Sequence, residues 1–263
     1  MDSVKLIDPT VFVYESVQGH WIKGKKLLQN HSENFPQYRF TYILTSSVLH
    51  GVPQHRRRFF CVGSKIGHID FRTPHINKVM TVHDAISDLE DMDFNENFNH
   101  ITWKDNYKHT DATVLSHLLP GKSCNNLEYD QLNDRMKQIR DRGKSFGFHS
   151  PRRIRYNDPS PTVYGGCLVH PVNNRVLTCR EELRLMSVPD DFIIKAKRAQ
   201  TSIQVGKSVP CNTAKYIASC IYKQLKYGIS SNSILFDFNE LANKTLRKHR
   251  KKNETRQQTK LFY

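Results

Sequence analysis

The stretch Leu49-His50-Gly51-Val52-Pro53-Gln54-His55-Arg56-Arg57-Arg58-Phe59-Phe60-Cys61-Val62-Gly63 decides how the chain is read. Gly51-Val52-Pro53 is a turn, because glycine tolerates unusual backbone angles and proline fixes its own. Phe59 to Val62 is a short apolar run closed by Gly63, which predicts a buried strand. Gln54, Arg56 and Arg58 stand at alternate positions, so an extended backbone is expected to point all three to one side. An amide and two guanidiniums on one face form a polar comb suited to phosphate oxygens or a base edge. A basic, solvated strand start would look the same, and the stretch alone leaves both readings open.

The whole chain leans toward nucleic acid. It has 263 residues, enough for a real core in one domain or two small ones, and a formal charge of +15. Part of that charge lies in the carboxyl-terminal tail. No apolar run approaches membrane-spanning length, and the start MDSVKLIDPT lacks the basic-then-apolar plan of a signal peptide, so a cytoplasmic protein is expected. The six cysteines form no C-x-x-C pair, which argues against a zinc ribbon or redox motif and for free buried thiols.

Outward from the opening stretch, Val11 to Tyr14 is a second β-type run, ended by Glu15-Ser16-Val17. A carboxylate at the carboxyl end of a buried strand is a usual place for chemistry in α/β folds, although a helix-capping Glu would fit too. Lys23 to Asn30 reads as a helix and Tyr38 to Leu44 as a strand. Thr81 is a plausible N-cap for a short helix to Leu89. Gln131 to Arg142 has helical spacing, with Leu132, Met136 and Ile139 on one stripe. Residues 143–166 interleave aromatic, arginine and turn-forming residues, as loops that meet nucleic acid do, and Arg152, Arg153 and Arg155 are candidate DNA contacts. A floppy surface loop would have the same composition. Thr178-Cys179-Arg180-Glu181 is a capping box. Gln204 to Pro210 opens a helix whose apolar stripe is Ala214, Ile217, Ala218, Ile221 and Leu225. From Lys244 onward the chain is cationic, poor in apolar residues and expected to be disordered.

Four of these segments resemble, in order, signature motifs of the DNA cytosine-5 methyltransferases. Phe12 to Val17 resembles the strand of motif VI, and Gly51 to Arg58 motif VIII. Arg175 to Phe192, with the lead-in Pro159 to Gly166, resembles motif IX, and Gln204 to Pro210 motif X. Together they cover roughly residues 10–225. The resemblance implies an α/β fold: an incomplete Rossmann-like methyltransferase sheet, with its later strands only, plus a small, irregular DNA-recognition domain. Residues 1–74 would belong to the catalytic domain and 75–200 to target recognition. Residues 201–228 would be the motif X helix returning to the catalytic domain, and 229–263 a basic tail.

It also implies roles. Methyl transfer would run from S-adenosylmethionine to cytosine C5. Glu15 would hold a flipped cytosine by its N3/N4 edge and favour protonation at N3. Arg58 would contact the base or an adjacent phosphate, and Arg56 and Gln54 would hold that loop and the DNA backbone. Ser208, with Lys207, would line the cofactor pocket. Ser16 and Lys207 each stand where the family usually has Asn. The family's nucleophile is a cysteine in a Pro-Cys segment. The only Pro-Cys here, Pro210-Cys211, lies at a helix start within motif X and reads as packing. The Gly-rich cofactor loop expected before Glu15 is also missing. The chain therefore resembles the carboxyl-terminal half of such an enzyme, a subunit completed by an amino-terminal partner. The alternative is a non-catalytic DNA-binding or regulatory remnant. Gln258 to Phe262 resembles the Gln-x-x-Leu-Phe peptides that dock on the bacterial replication sliding clamp.

Overall fold

The structure is a computed structural model that describes residues 2–23, 33–102, 112–146, 150–164 and 166–260. The helix expected over Lys23 to Asn30 lies, but for Lys23, outside them. In chain order the elements are α1 (Asp2–Ile7), β1 (Val11–Val17), α2 (Gln18–Lys23), β2 (Arg39–Ser46) and β3 (Arg57–Ser64). Then come α3 (Val82–Ile86), α4 (Ala112–Ser116), α5 (Asp134–Asp141), β4 (Arg152–Arg153) and β5 (Leu168–Val169). The last are α6 (Cys179–Leu185), α7 (Arg198–Lys207), α8 (Cys211–Tyr227), β6 (Leu235–Asp237) and α9 (Asn239–Lys260). No described helix is long and apolar enough to cross a membrane.

The chain divides into two compact units. The first comprises residues 1–51, 56–79 and 212–263; the second comprises 52–55 and 80–211. The units cut across the expected boundaries: the short turn 52–55 and residues 201–211 group with residues 80–200, and residues 75–79 with the first unit.

The first unit is built on a sheet of order β1-β3-β2-β6. All three strands read from the apolar runs form, each longer than its run. β3 is antiparallel to both neighbours, pairing Glu15 with Phe60 and Val17 with Arg58 on one side, and Thr45 with Arg58 on the other. β2 and β3 thus make the expected hairpin-like pair, and β6 lies parallel to β2. Side-chain alternation separates two faces. Phe40, Tyr42, Leu44, Phe59 and Cys61 cluster with Phe35 and Tyr38, and Phe12 and Trp21 pack onto them. Ile43, Phe60 and Val62 are buried on the opposite face. β1 is the outermost described strand on its side, and Val13, Tyr14 and Val17 are 46%, 39% and 56% exposed.

Helix α8 is turned about its axis relative to the expected stripe. It buries Thr213, Ile217, Cys220 and Gln224, and leaves Ala214, Ala218, Tyr222 and Leu225 exposed. A polar group explains the rotation. The Gln224 side chain accepts from Ser64 Oγ at 2.8 Å and donates to the His68 carbonyl at 3.1 Å, so it can be buried without loss. Hydrophobic spacing cannot foresee such a satisfied amide.

The tail is a second correction. Where disorder is expected, α9 runs as helix from Asn239 to Lys260. Phe238, Ala242 and Leu246 are buried and anchor its first turns. Once a helix is nucleated, each further residue adds a hydrogen bond, so the polar stretch can propagate from that anchor.

The second unit is mostly loops and short helices around two clusters. Val82, Ile86, Ile154, Val163, Leu177, Leu183 and Leu185 belong to one, and Val114, Leu115, Leu127, Met136 and Val176 to the other. Both expected N-caps form. Thr81 caps α3 in a box with Asp84, and Thr178 caps α6 in a box with Glu181.

Gln224→Ala should leave the buried Ser64 hydroxyl without its acceptor, while the His68 carbonyl keeps the Ser231 N–H, and should lower stability by about 1–3 kcal/mol. Chemical denaturation of the two proteins checks this.

Candidate functional site

In the first unit, the β1–β3 register brings Glu15 and Arg58 onto one face near one end of the sheet. Arg58 Nε meets Glu15 Oε1 at 2.8 Å, and the two side chains are 13% and 26% exposed. Arg58 Nη1 also donates to the Arg57 carbonyl at 2.8 Å. Burial lowers the Arg58 pKa, and the neighbouring carboxylate partly restores it. The pair is thus fixed in place yet reachable, an arrangement suited to presenting a carboxylate to a flat, hydrogen-bonding ligand.

Arg56 lies deeper. It is 1% exposed. Its main chain is clasped to the turn after β2: Ser47 N–H donates to the Arg56 carbonyl at 3.0 Å, and Arg56 N–H to Ser47 Oγ at 3.1 Å. Burial, and then the Arg58 charge, push its pKa down to about 10. Arg56 therefore positions the strand start, and its guanidinium is not offered at the surface. Nearby, the Thr45 hydroxyl and His50 Nε2 are 2.9 Å apart.

In the second unit, Gln54 is fully buried. Its amide nitrogen donates to the Leu185 carbonyl at 3.1 Å and to Met186 Sδ at 3.0 Å, and its oxygen accepts from Val163 N–H at 3.1 Å. The flanking backbone bonds too, with His55 N–H on the Ser160 carbonyl and Ser160 N–H on the Pro53 carbonyl. Gln54 is thus a staple between the turn, the lead-in to motif IX and the end of α6, and the expected comb is covered at this residue. Strand alternation sets the direction of a side chain, but neighbouring segments decide whether it is covered.

The three candidate arginines of β4 and its flank also separate. Arg152 and Arg155 are exposed. Arg153 is 4% exposed and donates to the carbonyls of Leu115, Leu118 and His170 and to Asn174 Oδ1, all within 2.8 Å. It organises loops, and its guanidinium is turned inward to these bonds and not to the surface. Lys207 closes α7 and Ser208 follows it; both are exposed, and Ser208 Oγ donates to the Val205 carbonyl at 2.8 Å. The segment expected to open one helix instead joins two, because α7 ends at Lys207 and α8 starts at Cys211.

Sequence reading missed the ionic framework inside motif IX. Arg175 forks onto Glu181 at 2.7 and 2.8 Å, and Arg198 meets the buried Glu182, which also accepts from Ser202. Arg180 donates to the carbonyls of Phe98, Pro189 and Phe192. Burial opposes ionisation of Glu181, but Arg175 overrides it and holds the pKa below the usual carboxylate range. For Glu182 burial wins and the pKa rises. The density of Arg and Glu in an otherwise apolar helix was the available signal.

The family model for C-5 cytosine-specific DNA methylases matches residues 1–223. The type II methyltransferase M1.HphI of Haemophilus parahaemolyticus is 31% identical over 239 residues, 84% of this chain and 58% of that protein. The type II methyltransferase M.BbvI of Brevibacillus brevis is 29% identical over 237 residues, 82% of this chain and 59% of that protein. The chain thus spans under two thirds of the length of these relatives. Among solved structures, a DNA modification methyltransferase encoded within an Escherichia coli prophage is similar in fold. Its TM-score is 0.58 at 22% identity, over 84% of this chain and 71% of that one.

Two measurements check the assignments of Gln54 and His170. Gln54→Ala should lower stability by about 1–3 kcal/mol, as expected when buried partners lose their bonds, and a destabilisation below that range would return Gln54 to the surface. His170 accepts from the Val172 and Asn173 N–H groups through Nδ1, and burial depresses its pKa to about 4. Its folded pKa lies below the unfolded value, so its contribution is present above about pH 6.5 and is lost as pH falls toward 4. Stability should fall across that window, and less steeply in His170→Gln.

Proposed function

The chain belongs to the C-5 cytosine-specific DNA methylase family, and from that premise we propose that it is a carboxyl-terminal subunit or fragment of a DNA cytosine-5 methyltransferase. The observation that carries the proposal is the ordered but accessible Glu15–Arg58 pair. Arg58 orients the carboxylate and leaves its second oxygen for the cytosine edge. There Glu15 accepts from the N4 amino group and holds a proton at N3, which draws electron density from C6 and prepares it for a thiolate. Arg56 acts by fixing the strand start, and Gln54 by fixing its turn. Arg152 and Arg155 face the DNA.

The family uses S-adenosylmethionine, which supplies the methyl group when bound. The residues of this chain fit one side of it only. Lys207 and Ser208 stand exposed at a helix junction, which is a wall and not an enclosure. The remaining walls and the Pro-Cys nucleophile come from an amino-terminal chain. Two surfaces of the first unit support that partner: the outer edge of β1, and the exposed Ala214, Ala218, Tyr222 and Leu225 on α8. Edge strands and exposed apolar faces are where chains associate. The sheet described here would then be the later part of a larger methyltransferase sheet.

The last residues extend the proposal to delivery at the replication sliding clamp. Gln258 to Lys260 are helical, whereas Leu261 and Phe262 lie outside the described residues. Docking as an extended peptide requires that last turn to unwind. A labelled peptide of residues 250–263 should bind the clamp, and Leu261→Ala/Phe262→Ala should abolish binding. Equal binding by both would leave charge attraction alone.

The enzyme reading is tested by mixing. Alone, the chain should transfer no methyl group. With an amino-terminal half carrying the cysteine loop it should methylate DNA. In that mixture Glu15→Gln or Arg58→Ala should lower kcat by about 100-fold or more while DNA affinity changes little. Equal losses in rate and affinity would remove both residues from the chemistry.

A further inference from the structure

Helix α9 carries a charge pattern that base handling does not use. Its inner side follows helical spacing: Ala242 and Leu246 are buried, and His249 and Asn253 half-buried. Lys244, Arg247, Lys248 and Lys251 share the opposite side and are exposed. Between Lys244 and Lys252 six of nine residues are Lys or Arg, and no acid occurs between Glu240 and Glu254. Lys244–Lys248, Arg247–Lys251 and Lys248–Lys252 are like-charge pairs one turn apart, and each such pair weakens a helix. Lys244 pairs with Glu240 at 2.8 Å, and Glu254 stands one turn beyond Arg250, so acids flank the basic run only at its two ends. A helix with this repulsion on one face is best stabilised by a polyanion laid along it.

The anchor says where that polyanion runs. β6 runs parallel to β2 and delivers the chain to the sheet end that holds Glu15 and Arg58. Arg57 Nη2 then donates to Asn243 Oδ1 at 2.7 Å, tying the first turn of α9 to the residue next to Arg58. From Lys244 to Lys252 the helix rises about 12 Å, the axial length over which one DNA strand places about three to four phosphates.

We propose that α9 is a phosphate-tracking arm that grips duplex DNA beside the target base. This rests on the reading of the chain as a DNA methylase half and adds to it a second, sequence-independent grip. An acidic protein is the competing ligand, but the anchor beside the base-holding pair favours DNA.

The test uses the full chain and a duplex oligonucleotide, titrated over a range of salt. Arg247→Gln/Lys248→Gln/Lys251→Gln should reduce the slope of log affinity against log salt by up to about 2.7, the expectation for three lost phosphate contacts. A control of equal charge, Lys5→Gln/Arg39→Gln/Lys226→Gln, lies at or toward the other end of the sheet and should change the slope by less than about one. Equal changes in the two variants would reduce the effect to net charge and overturn the proposal. An unchanged slope in the α9 variant would overturn it as well, and would be the outcome for an arm that serves an acidic protein. Because the readout is binding, absence of methyl transfer with a partner chain would sink the enzyme reading while leaving this result intact.

Discussion

The pairing of β1 with β3 is the constraint on which the site depends. It runs from Val11 opposite Ser64 to Val17 opposite Arg58. A slip of one residue would turn every β1 side chain to the other face. Glu15 would then lie over the aromatic cluster of Phe40, Tyr42 and Phe59, where an unpaired carboxylate is costly, and Arg58 would lose its partner. Phe12 in contact with Tyr38 and Phe40 holds the register from the opposite face. The aromatic core and the Glu15–Arg58 pair are therefore two sides of one hydrogen-bonded ladder.

Much of this was legible. Three strands followed from short apolar runs; β2 and β3 are buried on both faces, and such a strand must be apolar over several consecutive residues. Thr178 and Glu181 announced their helix start, because a capping box needs only two residues at fixed spacing. Glu15 was readable as a carboxylate at the end of a strand. The remainder depended on what covers each residue. Gln54, Arg56 and Arg153 look like surface polar residues in sequence, yet each is buried. The bonds recorded for Gln54 and Arg153 reach segments distant along the chain. The rotation of α8 came from one satisfied amide, Gln224, and the order of α9 from an anchor that precedes its polar stretch.

A division of labour follows. Residues of motif IX that look catalytic by charge, Arg180, Glu181 and Glu182, are spent on internal bonds that hold loops poor in regular structure. Breaking one such buried pair would strand a charge, so their cost falls on stability. Among the charges that stay accessible are the Glu15–Arg58 pair, Arg152 and Arg155, and the outer side of α9. In the proposed reading the pair would hold a base and the others would meet phosphates. Apolar side chains are also exposed on β1 and on α8, and in the proposed reading they are where the rest of the catalytic unit would add on.

That last point is the central claim, and hydrogen exchange along β1 tests it most directly. Alternate β1 amides bond to β3, while the others point away from the described sheet. In the isolated chain the outward amides should exchange rapidly. On addition of an amino-terminal methyltransferase half they should become protected together with the exposed face of α8. Outward amides already protected in the isolated chain, or a complex that forms without protecting either surface, would contradict the account.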